Sequence, residues 1–112
     1  MQKTAFFVFR ADSMCFVHVL LYAKELYDKG YDAKIILEGQ GTTLIKAQEE
    51  KENPLYLKVK ELGLIDGVCR ACSNAMGVLA YNEKSGISLL DELQGHPSME
   101  RYISEGYDII TL

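Results

Sequence analysis

The sequence predicts one small doubly wound α/β domain over residues 1–112, with a mostly parallel sheet of four to five strands and helices on both faces. Three observations predict this class. Short segments are apolar at consecutive positions, which is typical of strands covered on both faces. Longer segments with a helical apolar stripe alternate with them along the chain. The length of 112 residues suits one hydrophobic core and is too short for two.

The strands are predicted from four apolar segments that turn residues separate. They cover residues 4–9, 31–38, 65–70 and 107–112. Because the first two are apolar without alternation, we expect both faces of these strands to be covered. Residues 82–95 fit either a short strand or an irregular loop.

The helices are predicted from apolar residues at helical spacing and from capping residues at their starts. In chain order they cover residues 15–28, 44–52, 54–62, 73–81 and 97–105. Asp12 or Ser13 is expected to cap the first helix, and Asn53 followed by Pro54 begins the third. Strands that alternate with helices form a parallel sheet with helices on both faces.

Composition excludes several classes of protein. Twelve Lys and Arg against sixteen Asp and Glu give a net charge of −4, which argues against direct binding to nucleic acid. The longest nearly apolar run, residues 14–23, is shorter than the roughly twenty residues that a membrane span needs. Arg10 interrupts the first apolar run before it reaches the length of a signal-peptide core. We therefore expect a cytoplasmic protein without a membrane contact.

The best candidate site is the pair Cys69 and Cys72, where the third predicted strand meets a helix. In open parallel sheets, ligands bind beyond the carboxyl ends of the strands, near the point where the strand order reverses. Residues 11–14, 39–43 and 69–72 follow such ends in this chain. The last of these segments carries two nucleophilic side chains, so we place the site there.

Three neighbours are expected to activate a thiol of the pair. Arg70 supplies a positive charge, and Ser73 and Asn74 are capping residues at the start of the next helix. Such surroundings lower the pKa of a cysteine from about 8.5 to roughly 3.5–7.5 and favour the nucleophilic thiolate. Three cysteines, an odd number, do not describe a disulfide framework. The pair therefore suits sulfur transfer or thiol–disulfide exchange.

Two other interpretations of the pair stay open. Both cysteines can be buried structural residues, as free cysteines commonly are. A structural zinc site needs four ligands, and beyond the pair we count only Cys15, His18 and His96 as soft partners, without a second regular pair. We therefore expect no metal ion and, without a dinucleotide motif, no cofactor. Cys15 is expected to be buried, His18 to lie in the core or an interface, and His96 to cap the last helix.

Three parts of the chain together follow a known family pattern. Residues 20–38 run from a helix through Gly30 into a strand, residues 67–72 read Gly-Val-Cys-Arg-Ala-Cys with Gly77 eight positions after the first cysteine, and residues 99–112 close with a helix and a strand. On these parts the chain resembles the DsrE/DsrF-like family, which includes subunits of bacterial sulfur-relay complexes. The resemblance implies a flavodoxin-like or Rossmann-like sheet, a homo-oligomer such as a trimer or hexamer, and a cysteine that carries a persulfide.

The resemblance leaves open which cysteine that is. The spacing to Gly77 favours Cys69, whereas alignment of residues 71–74 with archaeal-type members favours Cys72. The loop after the first strand departs from the relay subunits, so no partner-specific relay role is implied.

Three hypotheses for the function result. The first is a cytosolic sulfur carrier or sulfurtransferase-like protein with Cys69 and Cys72 as catalytic residues, supported by Arg70, Ser73 and Asn74, and with a protein sulfur donor and acceptor as partners. The second is a non-catalytic oligomeric assembly module that uses the wide apolar face of the first helix. The third is a dithiol redox protein, which the late position of the pair in the chain disfavours.

Overall fold

Five parallel strands form one sheet in the order β4-β3-β2-β1-β5 in a computed structural model that describes residues 2–112. The strands are β1 (Lys3–Val8), β2 (Asp32–Leu37), β3 (Ile65–Cys69), β4 (Leu89–Leu90) and β5 (Asp108–Thr111). All four pairs of neighbouring strands are parallel. The predicted α/β class, the parallel sheet and the upper strand number are confirmed.

Six helices and one 3₁₀ segment connect the strands. They are α1 (Ser13–Asp28), the 3₁₀ segment (Gly39–Thr43), α2 (Leu44–Glu50), α3 (Pro54–Glu61), α4 (Arg70–Ala75), α5 (Leu79–Glu83) and α6 (Met99–Ser104). Asp12 caps α1 by accepting hydrogen bonds from the backbone N–H groups of Met14 and Cys15. Asn53 caps α3, and Pro54 follows as its first residue, as the sequence predicts.

The larger core lies between one face of the sheet and helices α1 to α3. Phe6, Ile35 and Val68 point to this face from three adjacent strands and are almost fully buried. The helices contribute the buried residues Phe16, Val19, Leu20, Ala23, Leu44, Ile45, Tyr56 and Val59. This face therefore holds most of the apolar surface that the fold removes from water.

A smaller core covers the opposite face of the sheet. Phe7 and Ile36 project there from the two central strands, and Tyr102 of α6 packs on them with its ring edge against Phe7. The chain thus has helices on both faces of the sheet. Among the helices described, α6 alone contributes to the buried residues of the second face. Residues 4–9 and 31–38 are apolar without alternation because each strand supplies both cores.

The strand order reverses at β1, which lies between β2 and β5. Residue Thr4 pairs with Asp108 of β5, the last strand of the chain. The cysteine pair instead follows β3, next to the opposite edge. The pair therefore lies at the carboxyl end of a strand, as the sequence predicts, but not at the point where the strand order reverses.

The predicted helix over residues 73–81 is two short helices in the structure. Helix α4 begins already at Arg70, and Gly77, with φ of 74°, ends this segment before α5 begins at Leu79. A left-handed φ at a glycine is a common way to end a helix. Residues 82–95 contain the two-residue strand β4, so the strand alternative holds only for Leu89 and Leu90.

Helix α1 presents an apolar strip to solvent. Met14, Leu21 and Tyr22 are 75%, 48% and 53% exposed. His18 lies on the same outer side and is exposed, with Nδ1 2.9 Å from the carbonyl oxygen of Met14. His18 is therefore not a core residue. Within residues 2–112, no helix combines the length and the apolar character that crossing a bilayer requires.

Candidate functional site

Four side chains meet at the carboxyl ends of β2 and β3. They belong to Glu38, Cys69, Cys72 and His96, and one donor atom of each lies within 4.8 Å of the donor atoms of the others. The sequence analysis predicts the two cysteines of this cluster. We call these four residues the thiol–histidine cluster.

Parallel pairing brings Glu38 beside Cys69. Leu37, the last residue of β2, pairs with Val68 of β3. Glu38 and Cys69, which follow these two residues in the chain, are therefore placed side by side at the same edge of the sheet. Glu38 is 9% exposed and Cys69 is fully buried, so both groups lie largely out of water.

Cys69 begins helix α4 as well as ending β3. Its backbone is extended, and its Sγ accepts a hydrogen bond from the backbone N–H of Cys72 at 3.3 Å. The sulfur thus takes the role that a serine or aspartate oxygen takes at other helix starts. The expectation that Ser73 and Asn74 cap this helix is wrong, because both lie within α4.

His96 reaches the cysteines from a tight turn after β4. Leu93 and His96 exchange two backbone hydrogen bonds of 2.7 and 2.9 Å across Gln94 and Gly95, which both have positive φ. The carbonyl oxygen of Gly95 accepts a hydrogen bond from the backbone N–H of Ala71 at 2.8 Å. This bond fixes the turn to the start of α4 and places the imidazole over the pair.

His96 therefore does not cap α6, contrary to the sequence-based expectation. Ser98 caps that helix, with its Oγ accepting from the backbone N–H of Arg101. The Nδ1 atom of His96 lies 3.1 Å from Cys69 Sγ and 3.7 Å from Cys72 Sγ. One ring nitrogen thus faces both sulfur atoms.

The electrostatics of Cys69 are opposite to the prediction. Burial above all, together with the nearby Cys72 and Glu38, raises the pKa of the Cys69 thiol to about 12, although the backbone hydrogen bond from Cys72 lowers it. Burial also raises the pKa of Glu38, although His96 opposes this. An isolated thiolate at Cys69 is therefore unfavourable, because the sulfur is buried and two of its neighbours, Cys72 and Glu38, are acidic.

The three residues that were expected to activate the thiols occupy positions that do not suit this role. Arg70 is exposed and is not among the groups that act on the Cys69 thiol. Asn74 is exposed. Ser73 is fully buried, and its hydroxyl donates to the carbonyl oxygen of Cys69 at 2.7 Å. Ser73 thus holds the backbone of Cys69 through its side chain.

A buried asparagine extends this support. Asn82 of α5 donates through Nδ2 to Ser73 Oγ at 2.9 Å and to the carbonyl oxygen of Thr42 at 3.1 Å. Its Oδ1 is buried without a hydrogen-bond partner in the part of the chain that the structure describes. Asn82 therefore joins the 3₁₀ segment, α4 and α5 behind the cluster.

The other soft ligands that we counted lie elsewhere. Cys15 is only partly buried near the start of α1, and neither it nor the exposed His18 belongs to the cluster. All three cysteines of the described chain are free thiols. Sequence spacing does not indicate Glu38 or His96, because Glu38 joins the pair through the pairing of β2 with β3 and His96 joins it through the turn after β4. The position of Glu38 as the last residue of a predicted strand is the one available signal.

The fold and the cluster define a small all-parallel α/β protein with two thiols, an imidazole and a carboxylate at its strand ends. The chain belongs to the same family as an uncharacterized protein of Methanocaldococcus jannaschii, MJ0733. The two are 34% identical over 120 aligned positions, which cover 99% of this chain and 96% of that protein.

A second similar protein is an uncharacterized protein of Archaeoglobus fulgidus. It is 46% identical over 43 residues, which cover 38% of this chain and 70% of that protein. No model of a known protein family matches the chain, and no solved structure matches it. The resemblance to the DsrE/DsrF-like family therefore stays a prediction.

Proposed function

We propose that this protein is a sulfur carrier of the DsrE/DsrF-like kind, which receives a sulfane sulfur on a cysteine of the thiol–histidine cluster. The observation that carries the proposal is the position of His96 Nδ1, 3.1 Å from Cys69 Sγ and 3.7 Å from Cys72 Sγ. An imidazole at this distance can take the proton of a thiol and so produce the nucleophilic thiolate.

The two cysteines suit different roles. Cys72 is partly exposed and is the sulfur that a donor can reach, whereas Cys69 is fully buried. The raised pKa of Cys69 keeps its thiol protonated near neutral pH. We therefore assign the nucleophile to Cys72, the base to His96, and a mainly structural role in the resting state to Cys69.

The transfer proceeds by displacement at sulfur. His96 takes the proton of Cys72, and the thiolate attacks the outer sulfur of a donor persulfide, R–S–SH. The donor S–S bond breaks, the donor leaves as a thiol that regains a proton, and Cys72 becomes a persulfide. The thiolate of an acceptor then attacks the outer sulfur and releases the Cys72 thiolate.

The protonated state of Cys69 also separates a carrier from a redox protein. A Cys69 thiolate would attack the inner sulfur of the Cys72 persulfide, release HS⁻ and leave a Cys69–Cys72 disulfide. Because burial disfavours that thiolate, the attack on the persulfide is slower than it would be between two exposed cysteines. This argument favours sulfur carriage over the dithiol redox alternative.

The test uses reduced, metal-stripped protein and a low-molecular-weight persulfide donor, with each cysteine followed by peptide mass. We expect one added sulfur atom on Cys72 in the wild type and in Cys69→Ser, and none in Cys72→Ser. Cys15→Ser is the control and should load as the wild type does. Loading of folded Cys72→Ser, or a folded wild type that gains no sulfur, overturns the proposal.

The homo-oligomer and the cytoplasmic location belong to this proposal as well. The exposed apolar strip of α1, with Met14, Leu21 and Tyr22, supports an assembly surface. Three free thiols support a reducing compartment such as the cytoplasm. Sedimentation of the wild type beside Leu21→Glu tests the oligomer, and an equal monomer mass for both proteins would rule it out.

A further inference from the structure

We propose that Glu38, Cys69, Cys72 and His96 form a binding site for a thiophilic divalent cation, with Zn²⁺ as the representative ion. The proposal is independent of sulfur transfer. It rests on the donor set, on the distances within it and on the charge of the pocket.

The donor set is one that zinc prefers. Two thiolates, an imidazole nitrogen and a carboxylate oxygen provide four protein ligands, the number found in structural zinc sites. The count of soft ligands in the sequence disfavoured zinc because it found no second regular pair beside the two cysteines and did not include Glu38. The structure brings both residues to the cysteine pair.

The distances suit tetrahedral coordination. Ligand atoms at 2.0–2.3 Å around one zinc ion lie roughly 3.3–3.8 Å from one another. The nitrogen of His96 lies 3.1 and 3.7 Å from the two sulfur atoms, and all four donor atoms lie within 4.8 Å of one another. Side-chain rotations that bring the most distant donor atoms about 1 Å closer together complete the coordination.

The charge of the pocket favours the binding of a cation. Glu38 is 9% exposed as a residue, and its carboxylate forms no ion pair and accepts no side-chain hydrogen bond within residues 2–112, with His96 as the nearby group that favours its charge. A buried carboxylate without a partner is costly, and so is a buried thiolate. A divalent cation offsets both costs, since it binds Glu38 and replaces the protons of Cys69 and Cys72.

Further contacts support the ligands in the metal-bound state. The backbone N–H of Cys72 points at Cys69 Sγ, and such hydrogen bonds stabilise a metal-bound thiolate. The turn that carries His96 is bonded to the start of α4 through Gly95 and Ala71. Binding of one Zn²⁺ releases one proton from each thiol, so affinity increases with pH.

The test uses reduced protein without a histidine tag, stripped of metal by a chelator and checked for folding by circular dichroism. Zn²⁺ is titrated in competition with a chromophoric chelator, and Co²⁺ serves as the spectroscopic probe. We expect one ion per chain, thiolate-to-cobalt charge-transfer bands, and the intense visible bands of tetrahedral Co²⁺.

Variants then identify the ligands. Glu38→Gln, Cys72→Ser and His96→Ala should each weaken Zn²⁺ binding by at least about tenfold. Cys15→Ser and His18→Ala, which change the same residue types outside the cluster, should bind as the wild type does. Because a variant can fail to fold, alkylation of the wild type supplies a second measurement, in which Zn²⁺ should protect Cys72.

Three results would overturn the site. They are a wild type without the tetrahedral thiolate spectrum, controls that lose as much affinity as the cluster variants, and Glu38→Gln with unchanged affinity. Glu38 has no role in the proposed sulfur transfer. Loss of Zn²⁺ binding with persulfide loading retained in Glu38→Gln therefore separates the two proposals.

Discussion

The hydroxyl of Ser73 donates a hydrogen bond of 2.7 Å to the carbonyl oxygen of Cys69, and both residues are fully buried. The same hydroxyl accepts a hydrogen bond from Asn82. A single oxygen atom therefore joins the first residues of α4 to α5, directly behind the cluster. Ser73 thus holds the backbone of Cys69, while His96, from the turn after β4, contacts the sulfur of Cys69.

Ser73→Ala should lower the free energy of unfolding by about 1–3 kcal/mol, because a buried carbonyl and a buried amide each lose a partner. Urea denaturation at pH 7 measures this. The matched control is Ser104→Ala, in which an exposed hydroxyl bonded to the carbonyl of Arg101 is removed. We expect the control to change stability by less than about 0.5 kcal/mol. Equal losses in the two variants would contradict the assigned role of Ser73.

Glu49 connects three helices and should make stability sensitive to acid. Its carboxylate accepts hydrogen bonds from Tyr56 and Tyr81 at 2.8 Å and from Lys60 at 2.7 Å. Burial acts to raise the pKa of Glu49, but these three partners outweigh it and hold the pKa below its usual value. The stabilisation that the Glu49 carboxylate provides is thus present at pH values above its unfolded-state pKa. It is lost as the pH falls through its folded-state pKa.

Glu49→Gln should therefore cost about 1–3 kcal/mol at pH 7 and much less at pH 3. Urea denaturation of both proteins at the two pH values gives the comparison. Glu61→Gln is the control, because its ion pair with Lys58 spans 3.8 Å at the surface and is expected to contribute little at either pH. A cost that is the same at pH 3 and pH 7 would show that the charge of Glu49 is not what stabilises the helices.

Gly95 should be required for the position of His96. Its φ is 92°, and a Cβ atom there would lie 3.1 Å from Cβ of Ala71. Gly95→Ala should cost about 1–2 kcal/mol in backbone strain and also displace the turn. The measurement is Zn²⁺ affinity together with urea denaturation.

Gly106 supplies the matched control for this glycine. Its φ is 93°, and a Cβ atom would meet only Lys3, at 4.0 Å. Gly106→Ala should thus carry a similar backbone strain, while its Zn²⁺ affinity stays unchanged. If both variants bind Zn²⁺ as the wild type does, the turn does not position His96 as the structure indicates.

Glu38→Gln should stabilise the metal-free protein at neutral pH. Burial raises the pKa of Glu38 above its usual value, with His96 opposing, so the folded state holds its proton more tightly than the unfolded state. The stabilisation that this tighter proton binding provides is complete at pH values below the unfolded-state pKa of Glu38. It is lost as the pH rises through the folded-state pKa. The side-chain amide of the Glu38→Gln variant carries no charge and so avoids this loss of stability. We therefore expect the free energy of unfolding to increase by about 0.5–2 kcal/mol at pH 7.

Thermal and urea denaturation at pH 4 and pH 7 measure the effect. The gain should shrink at pH 4, where the wild-type carboxyl is largely protonated. Glu50→Gln, a change at an exposed neighbour of Glu49 for which no stabilisation is expected, controls for the change in net charge. A metal-free Glu38→Gln protein that is less stable than the wild type at pH 7 would contradict the buried, unpartnered state of this carboxylate.

The sequence predicts the fold well because its signals are local. Unbroken apolar segments mark β1 and β2, since each of these strands faces a core on both sides. The break between α4 and α5 escapes prediction because the apolar pattern continues across Gly77. The start of α4 escapes it too, because cysteine is seldom a capping residue and sequence rules favour Ser73 and Asn74 instead.

The cluster is only half predictable. Cys69 and Cys72 follow from their spacing and from their place at a strand end. Glu38 and His96 join them through strand pairing and through a turn, 31 residues before and 27 residues after Cys69 in the sequence. The direction of the Cys69 pKa depends on burial and on acidic neighbours, neither of which the neighbouring sequence reveals.

The position of β1 between β2 and β5 has a consequence for synthesis on the ribosome. Strands β1 to β4 can pair as they emerge, and all four cluster residues precede α6 and β5 in the chain. Phe7 and Ile36 stay uncovered until Tyr102 emerges, and β1 keeps one open edge until residues 108–111 pair with it. A chain that lacks α6 and β5 therefore holds all four cluster residues while the apolar sheet face of Phe7 and Ile36 stays open to water or to a chaperone.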